Sequence, residues 1–70
     1  MYKIKFSSVT HALKAKETIE KMGYRAKINK NLKPSQNEGY GYSITFLGDI
    51  NRVTIQLDIH KIKYIGYELV

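Results

Sequence analysis

The chain has 70 residues, with 12 Lys and Arg against 6 Asp and Glu for a net charge of +6, and it has no cysteine. That length supports one small core, so a single domain over residues 1–70 is expected, and the lack of thiols removes disulfides, thiolate metal sites and thiol chemistry. No apolar run approaches the roughly 18 residues of a membrane span, and residues 1 to 30 lack the apolar stretch and small-residue cleavage site of a secretory signal, so a soluble cytoplasmic protein without a membrane partner is expected.

MYKIKF alternates, with Tyr2, Ile4 and Phe6 on one face and Lys3 and Lys5 on the other, the period of a half-buried strand. Ser7 or Ser8 can cap the helix that follows. Its apolar positions Val9, Ala12, Leu13, Ala15, Ile19 and Met22 fall within about half the circumference at 100° per residue. Gly23 suits the left-handed residue just past the helix end, and Glu17 and Lys21 form a well-oriented i,i+4 pair. YRAKINK alternates again and predicts a second strand from Tyr24 to Lys30. Residues 31 to 41 collect Asn, Pro, Ser, Gln, Glu and Gly as a loop, and YSITFL then resumes the alternation as a third strand.

The segment DINRVTIQLDIH, residues 49 to 60, reads two ways. Val53, Ile55, Leu57 and Ile59 alternate as in a strand, whereas a helix gathers only Ile50, Val53 and Leu57 on one face. Asp49 is a good N-cap, and a four-stranded sheet needs a second helix to cover its apolar face, which favours the helix. IKYIGYELV, with Ile65, Tyr67 and Leu69 in phase, closes the chain as a last strand.

This element order, with THALKA at residues 10 to 15, the loop at Pro34, the short motif before the third strand and IKYIGYEL at residues 62 to 69, resembles a family of small bacterial selenium/sulfur carrier protein-like proteins. The resemblance spans nearly the whole chain and favours the helical reading of residues 49 to 60. In that family the loop before the third strand usually carries Cys-Gly, where this chain has Tyr40-Gly41. A carrier needs a thiolate to hold sulfur or selenium, and a phenol that ionises near pH 10 cannot replace it, so the family's activity does not transfer at its central residue.

The fold class expected is α+β, a ferredoxin-like two-layer sandwich of order β-α-β-β-α-β, with strand order 4-1-3-2 and both helices on one face of an antiparallel sheet. This topology gathers Ser7, Ser8, Thr10, His11, Gly39, Tyr40 and Gly41 at one edge with the junction between the second helix and the last strand, and places His60 near them. The free N–H groups and positive end of the first helix point there and favour an anion. Gly39 and Gly41 would let the loop close over the helix terminus.

No Ser/His/Asp set, paired carboxylates, metal-ligand cluster or phosphate-cradling loop is present, so no enzyme, metal or cofactor is expected. Residues 1 to 33 hold nine Lys and Arg against two acids, and residues 34 to 70 hold three against four, giving +7 and −1. That asymmetry suits a polyanion, and Lys3, Lys5, Arg25 and Lys27 align on the open sheet face. Yet only Tyr64, on an edge strand, is available for base stacking, so nucleic-acid binding is expected to be weak and salt-sensitive. The leading expectation is a non-enzymatic binding or adaptor protein that takes a small anion or a protein partner at the loop edge. A nucleic-acid-binding module is the first alternative, and a phage or plasmid inhibitor of a host protein the second.

Overall fold

The computed structural model describes residues 1–30 and 41–70. Alternating segments form β1 (Tyr2–Phe6), β2 (Ala26–Lys30), β3 (Tyr42–Phe46) and β4 (Gly66–Leu69), and the segments of helical period form α1 (Val9–Lys21) and α2 (Ile50–Ile59). The strands make one sheet of order β2-β3-β1-β4, antiparallel at every pairing, which is the ferredoxin-like β-α-β-β-α-β sandwich. No helix among the described residues is long and apolar enough to cross a membrane.

Register decides which residues meet. Ile4 lies between Ile44 of β3 and Tyr67 of β4, while Phe6 faces Tyr42, so the apolar residues of the two central strands share one face. Ile4, Phe6 and Ile44 are wholly buried and Phe46 nearly so. Against them pack Ala12, Ala15 and Ile19 of α1 and Ile50, Val53 and Leu57 of α2, with Ile62 closing the end. Each large aliphatic or aromatic side chain so buried contributes about 1.5–3 kcal/mol.

The helical reading of residues 50 to 59 holds, and its cap explains why. The Asp49 carboxylate accepts from the N–H groups of Asn51 (2.9 Å) and Arg52 (3.4 Å), satisfying two donors of the first turn. Ile55 and Ile59, which a strand would have placed in phase with Val53 and Leu57, are left exposed on α2. The Glu17–Lys21 pair forms at 3.1 Å between exposed side chains.

Both helices end in the same way. After α1, Gly23 adopts φ 91°, its N–H donates to the Glu20 carbonyl (3.0 Å), and the Tyr24 N–H donates to the Ile19 carbonyl (3.3 Å). After α2, Lys61 adopts φ 57°, its N–H donates to the Asp58 carbonyl (3.1 Å), and the Ile62 N–H donates to the Leu57 carbonyl (2.8 Å). These are Schellman endings, with buried Ile62 meeting the hydrophobic end of α2.

Four expectations need correction. Val9 and Leu13 are exposed, because the core-facing direction of α1 is set by Ala12, Ala15 and Ile19. Tyr24 and Arg25 precede β2, since the Schellman ending of α1 occupies Tyr24 and delays the strand to Ala26. Tyr64 and Ile65 precede β4, where the Ile65 N–H donates to the Lys5 carbonyl (2.8 Å) although Gly66 is the register partner of Lys5, so two residues face one and the ladder starts late. The last strand also buries little: Tyr67 and Leu69 lie on the helix side of the sheet yet remain exposed.

Two positions test this architecture. A Cβ on Gly48 would lie 2.8 Å from the Tyr24 ring, which itself stacks on Phe46 with centroids 6.3 Å apart, so Gly48→Ala is expected to destabilise the fold by about 1–3 kcal/mol in urea titrations. Lys61 holds a left-handed conformation that costs a side-chain-bearing residue roughly 1 kcal/mol, so Lys61→Gly should raise the unfolding midpoint despite glycine's greater freedom when unfolded.

Candidate functional site

The first turn of α1 is built on Ser8. Its extended backbone (φ −118°, ψ 129°) is the usual conformation of a residue capping a helix, its carbonyl accepts from the Ala12 N–H at 3.0 Å, and its hydroxyl accepts from the His11 N–H at 3.5 Å. No acidic residue lies in that turn, so the positive end of the helix is not offset by a neighbouring carboxylate of its own. Ser7 and Thr10 are exposed around it, and Ser8 and His11 are half-buried.

His11 then reaches across the fold. Its Nδ1 accepts from the backbone N–H of Lys63 at 3.1 Å, joining positions 52 residues apart. This bond places the neutral ring with its other nitrogen as the proton-bearing one, and it fixes the α2–β4 junction against the start of α1. The expected juxtaposition of the β1 end, the first turn of α1 and this junction is therefore present. Gly41 sits at the same end, one residue before Tyr42, which pairs with Phe6 and Lys30. An added Cβ at Gly41 would touch nothing, so no close approach among the described residues requires glycine there. Gly39 and Tyr40 lie outside the described residues.

The junction brings groups that sequence reasoning did not single out. Asp58, Lys61, Ile62, Lys63 and Tyr64 line an open depression beside the His11 contact, with Lys61 and Lys63 exposed. Burial pushes the Tyr64 phenol above its ordinary ionisation range, and the nearby Asp58 carboxylate and then Tyr67 act in the same direction. Lysines in a KIKY run carry no signal of their own in one sequence. The 52-residue contact brings the backbone of Lys63 to the first turn of α1. His60 caps the end of α2 and lines a second depression, between the helices, with Lys14, Thr18, Met22 and Gln56.

The open sheet face carries the second candidate set. Lys3 and Lys27 flank Thr45 in register, Lys5 and Asn29 flank Ser43, and Arg25 lies just before β2. The Lys5 ammonium is 3.7 Å from the Glu68 carboxylate. No aromatic residue of the four strands lies on this face. Tyr64 is not a stacking platform there: it is off the strand, packs against the core, and tilts against Tyr67 with centroids 6.5 Å apart.

No protein-family model, curated protein or solved structure matches this chain.

The His11 bridge has a measurable consequence. His11→Ala should destabilise the fold by about 0.5–1.5 kcal/mol, the usual net value of one hydrogen bond, and should speed amide exchange at Lys63. His11→Asn, whose side-chain oxygen can occupy the place of Nδ1, should recover protection at Lys63, read by hydrogen exchange in NMR spectra.

Proposed function

We propose that the chain is a non-enzymatic binding protein that takes an anionic group, a phosphate or carboxylate of a small ligand or of an acidic protein partner, at the end of the sheet where α1 begins. The observation that carries this reading is the His11–Lys63 hydrogen bond, because it holds the backbone of Lys63, which shares a depression with Lys61, at a helix terminus whose positive end has no acidic residue in its first turn. Exposed N–H groups of the first turn can donate to an anion while the two ammonium groups supply long-range attraction. Asp58 opposes them from the same depression and favours an anion seated toward the helix terminus.

The resemblance to carrier-like proteins points to the same loop, since Tyr40-Gly41 stands where those proteins have Cys-Gly. With no cysteine in the chain, binding is the activity retained in this proposal and sulfur transfer is not. Nucleic-acid binding on the open face is the second reading, supported by the Lys3–Thr45–Lys27 row. Without stacking groups it would be phosphate-driven, weak and lost with added salt.

One titration separates the two. Amide shifts are followed at low salt with inorganic phosphate, a short oligoglutamate and a single-stranded oligonucleotide as probes. The proposal expects the first two to move Val9, Thr10, His11 and residues 61 to 64, and Lys61→Glu with Lys63→Glu to weaken binding about tenfold or more, which corresponds to a loss of about 1.4 kcal/mol or more. Shifts confined to Lys3, Lys27 and Thr45 with the oligonucleotide would transfer the function to the sheet face, and no shift with any probe would overturn both readings.

A further inference from the structure

The two edges of the sheet are built differently. Along β2, α1 covers the helix side, leaving Ala26 and Ile28 half-buried, and Arg25, Lys27 and Lys30 put three cations on or next to that edge. Two copies meeting there would face like charges. Along β4 the helix side is uncovered: Tyr67 and Leu69 are 48% and 71% exposed, and neither is charged. Among the described residues no strand pairs with the outer edge of β4. Edges of this kind, apolar and unguarded, pair with another strand.

The backbone of β4 is set for such a pairing. The Val70 N–H donates to the Met1 carbonyl (2.9 Å), so alternation along an antiparallel ladder turns Gly66 and Glu68 inward to β1 as well and leaves the N–H and C=O groups of Tyr67 and Leu69 pointing outward. We infer that β4 is the contact surface of a symmetric dimer, in which the β4 strands of two copies pair antiparallel about a twofold axis and extend the sheet to eight strands. This surface is separate from the anion-binding end proposed above, and neither inference depends on the other.

Charge selects the register. A twofold between antiparallel strands keeps each side chain on its own face, so the axis passes through either Glu68 or Tyr67. Centred on Glu68, two carboxylates would stand directly opposite, which is unfavourable. Centred on Tyr67, that ring faces its twin, and Glu68 faces Gly66 of the second copy. Gly66 has no side chain, a Cβ there would touch nothing, and its register partner on the far side is Lys5. Strands lie about 4.8 Å apart, so a Glu side chain reaches across one glycine to the Lys of the next strand. Glu68 already lies opposite Lys3 and 3.7 Å from Lys5 in its own copy. In the dimer each carboxylate would therefore stand among lysines of both copies, which makes the face complementary to itself despite the chain's net charge. On the helix side, the ring contacts Tyr24–Phe46, Phe46–Tyr2 and Tyr2–Tyr67 would continue into the second copy. A four-residue strand makes a small interface, so the dimer should be concentration-dependent.

The test is sedimentation velocity of the full chain from about 10 μM to about 1 mM, a range that brackets dissociation constants typical of small contacts. The mean mass should rise from 8.1 kDa toward twice that value. Leu69→Lys should abolish the rise, Glu68→Lys should weaken association about tenfold or more, and Ile59→Lys, at an exposed apolar position on α2, should leave it unchanged. All three positions are exposed, and retained amide spectra would verify the fold. In a mixed labelled and unlabelled sample, intermolecular contacts should join Tyr67 to Tyr67 of the second copy. A chain monomeric throughout, association unaffected by Leu69→Lys, or association lost with Ile59→Lys would overturn the proposal, and contacts joining Tyr67 to Leu69 would overturn the register.

Discussion

The burial of Ile4 and Phe6 is the constraint on which the rest of the molecule depends. Both are wholly removed from solvent, and a strand reaches that state only with neighbours on each side and a covering layer above. This requirement places β1 in the interior of the sheet, so that β3 and β4 must pair with it from opposite sides. Strands far apart in sequence are thereby brought together. The two helices follow, because a sheet with one apolar face has to be covered and only amphipathic elements joined by short connections can cover it.

The cover is uneven. Residues as small as Ala12 and Ala15 are fully buried in α1, so this helix can lie close to the sheet above β2 and β3, its main strand contacts. α2 contributes Ile50, Val53 and Leu57, and the edge strand β4 is left with its helix-side residues in water. Covering four strands with two helices of 13 and 10 residues leaves one margin thin, and the thin margin is the one completed last in the chain.

Termination of the helices matters as much as their faces. The Schellman ending of α1 turns the chain so that Tyr24 lies over Gly48, and the same ending on α2 drives Ile62 into the core and carries Lys63 to His11. A single local conformation used twice therefore positions both the far end of the sheet and the candidate binding end. In one case glycine adopts it at little cost. In the other a lysine does, held there by the buried Ile62 that follows.

Sequence alone determined the elements that rest on local chemistry. Alternation in MYKIKF and YSITF, serine and aspartate as caps, and glycine after α1 each act within a few residues, so their consequences are visible without knowing the partners. The segment from residue 49 was ambiguous by periodicity, and its cap together with the need for a second covering helix favoured the correct state. Tertiary structure decided the rest. Whether Val9 and Leu13 are buried depends on how α1 rolls on the sheet, and whether Tyr67 and Leu69 are buried depends on how far α2 reaches. The neighbours of His11 depend on a backbone N–H 52 residues away. Such properties belong to pairs of distant segments, and side-chain patterns record only which face is apolar, not what finally lies against it.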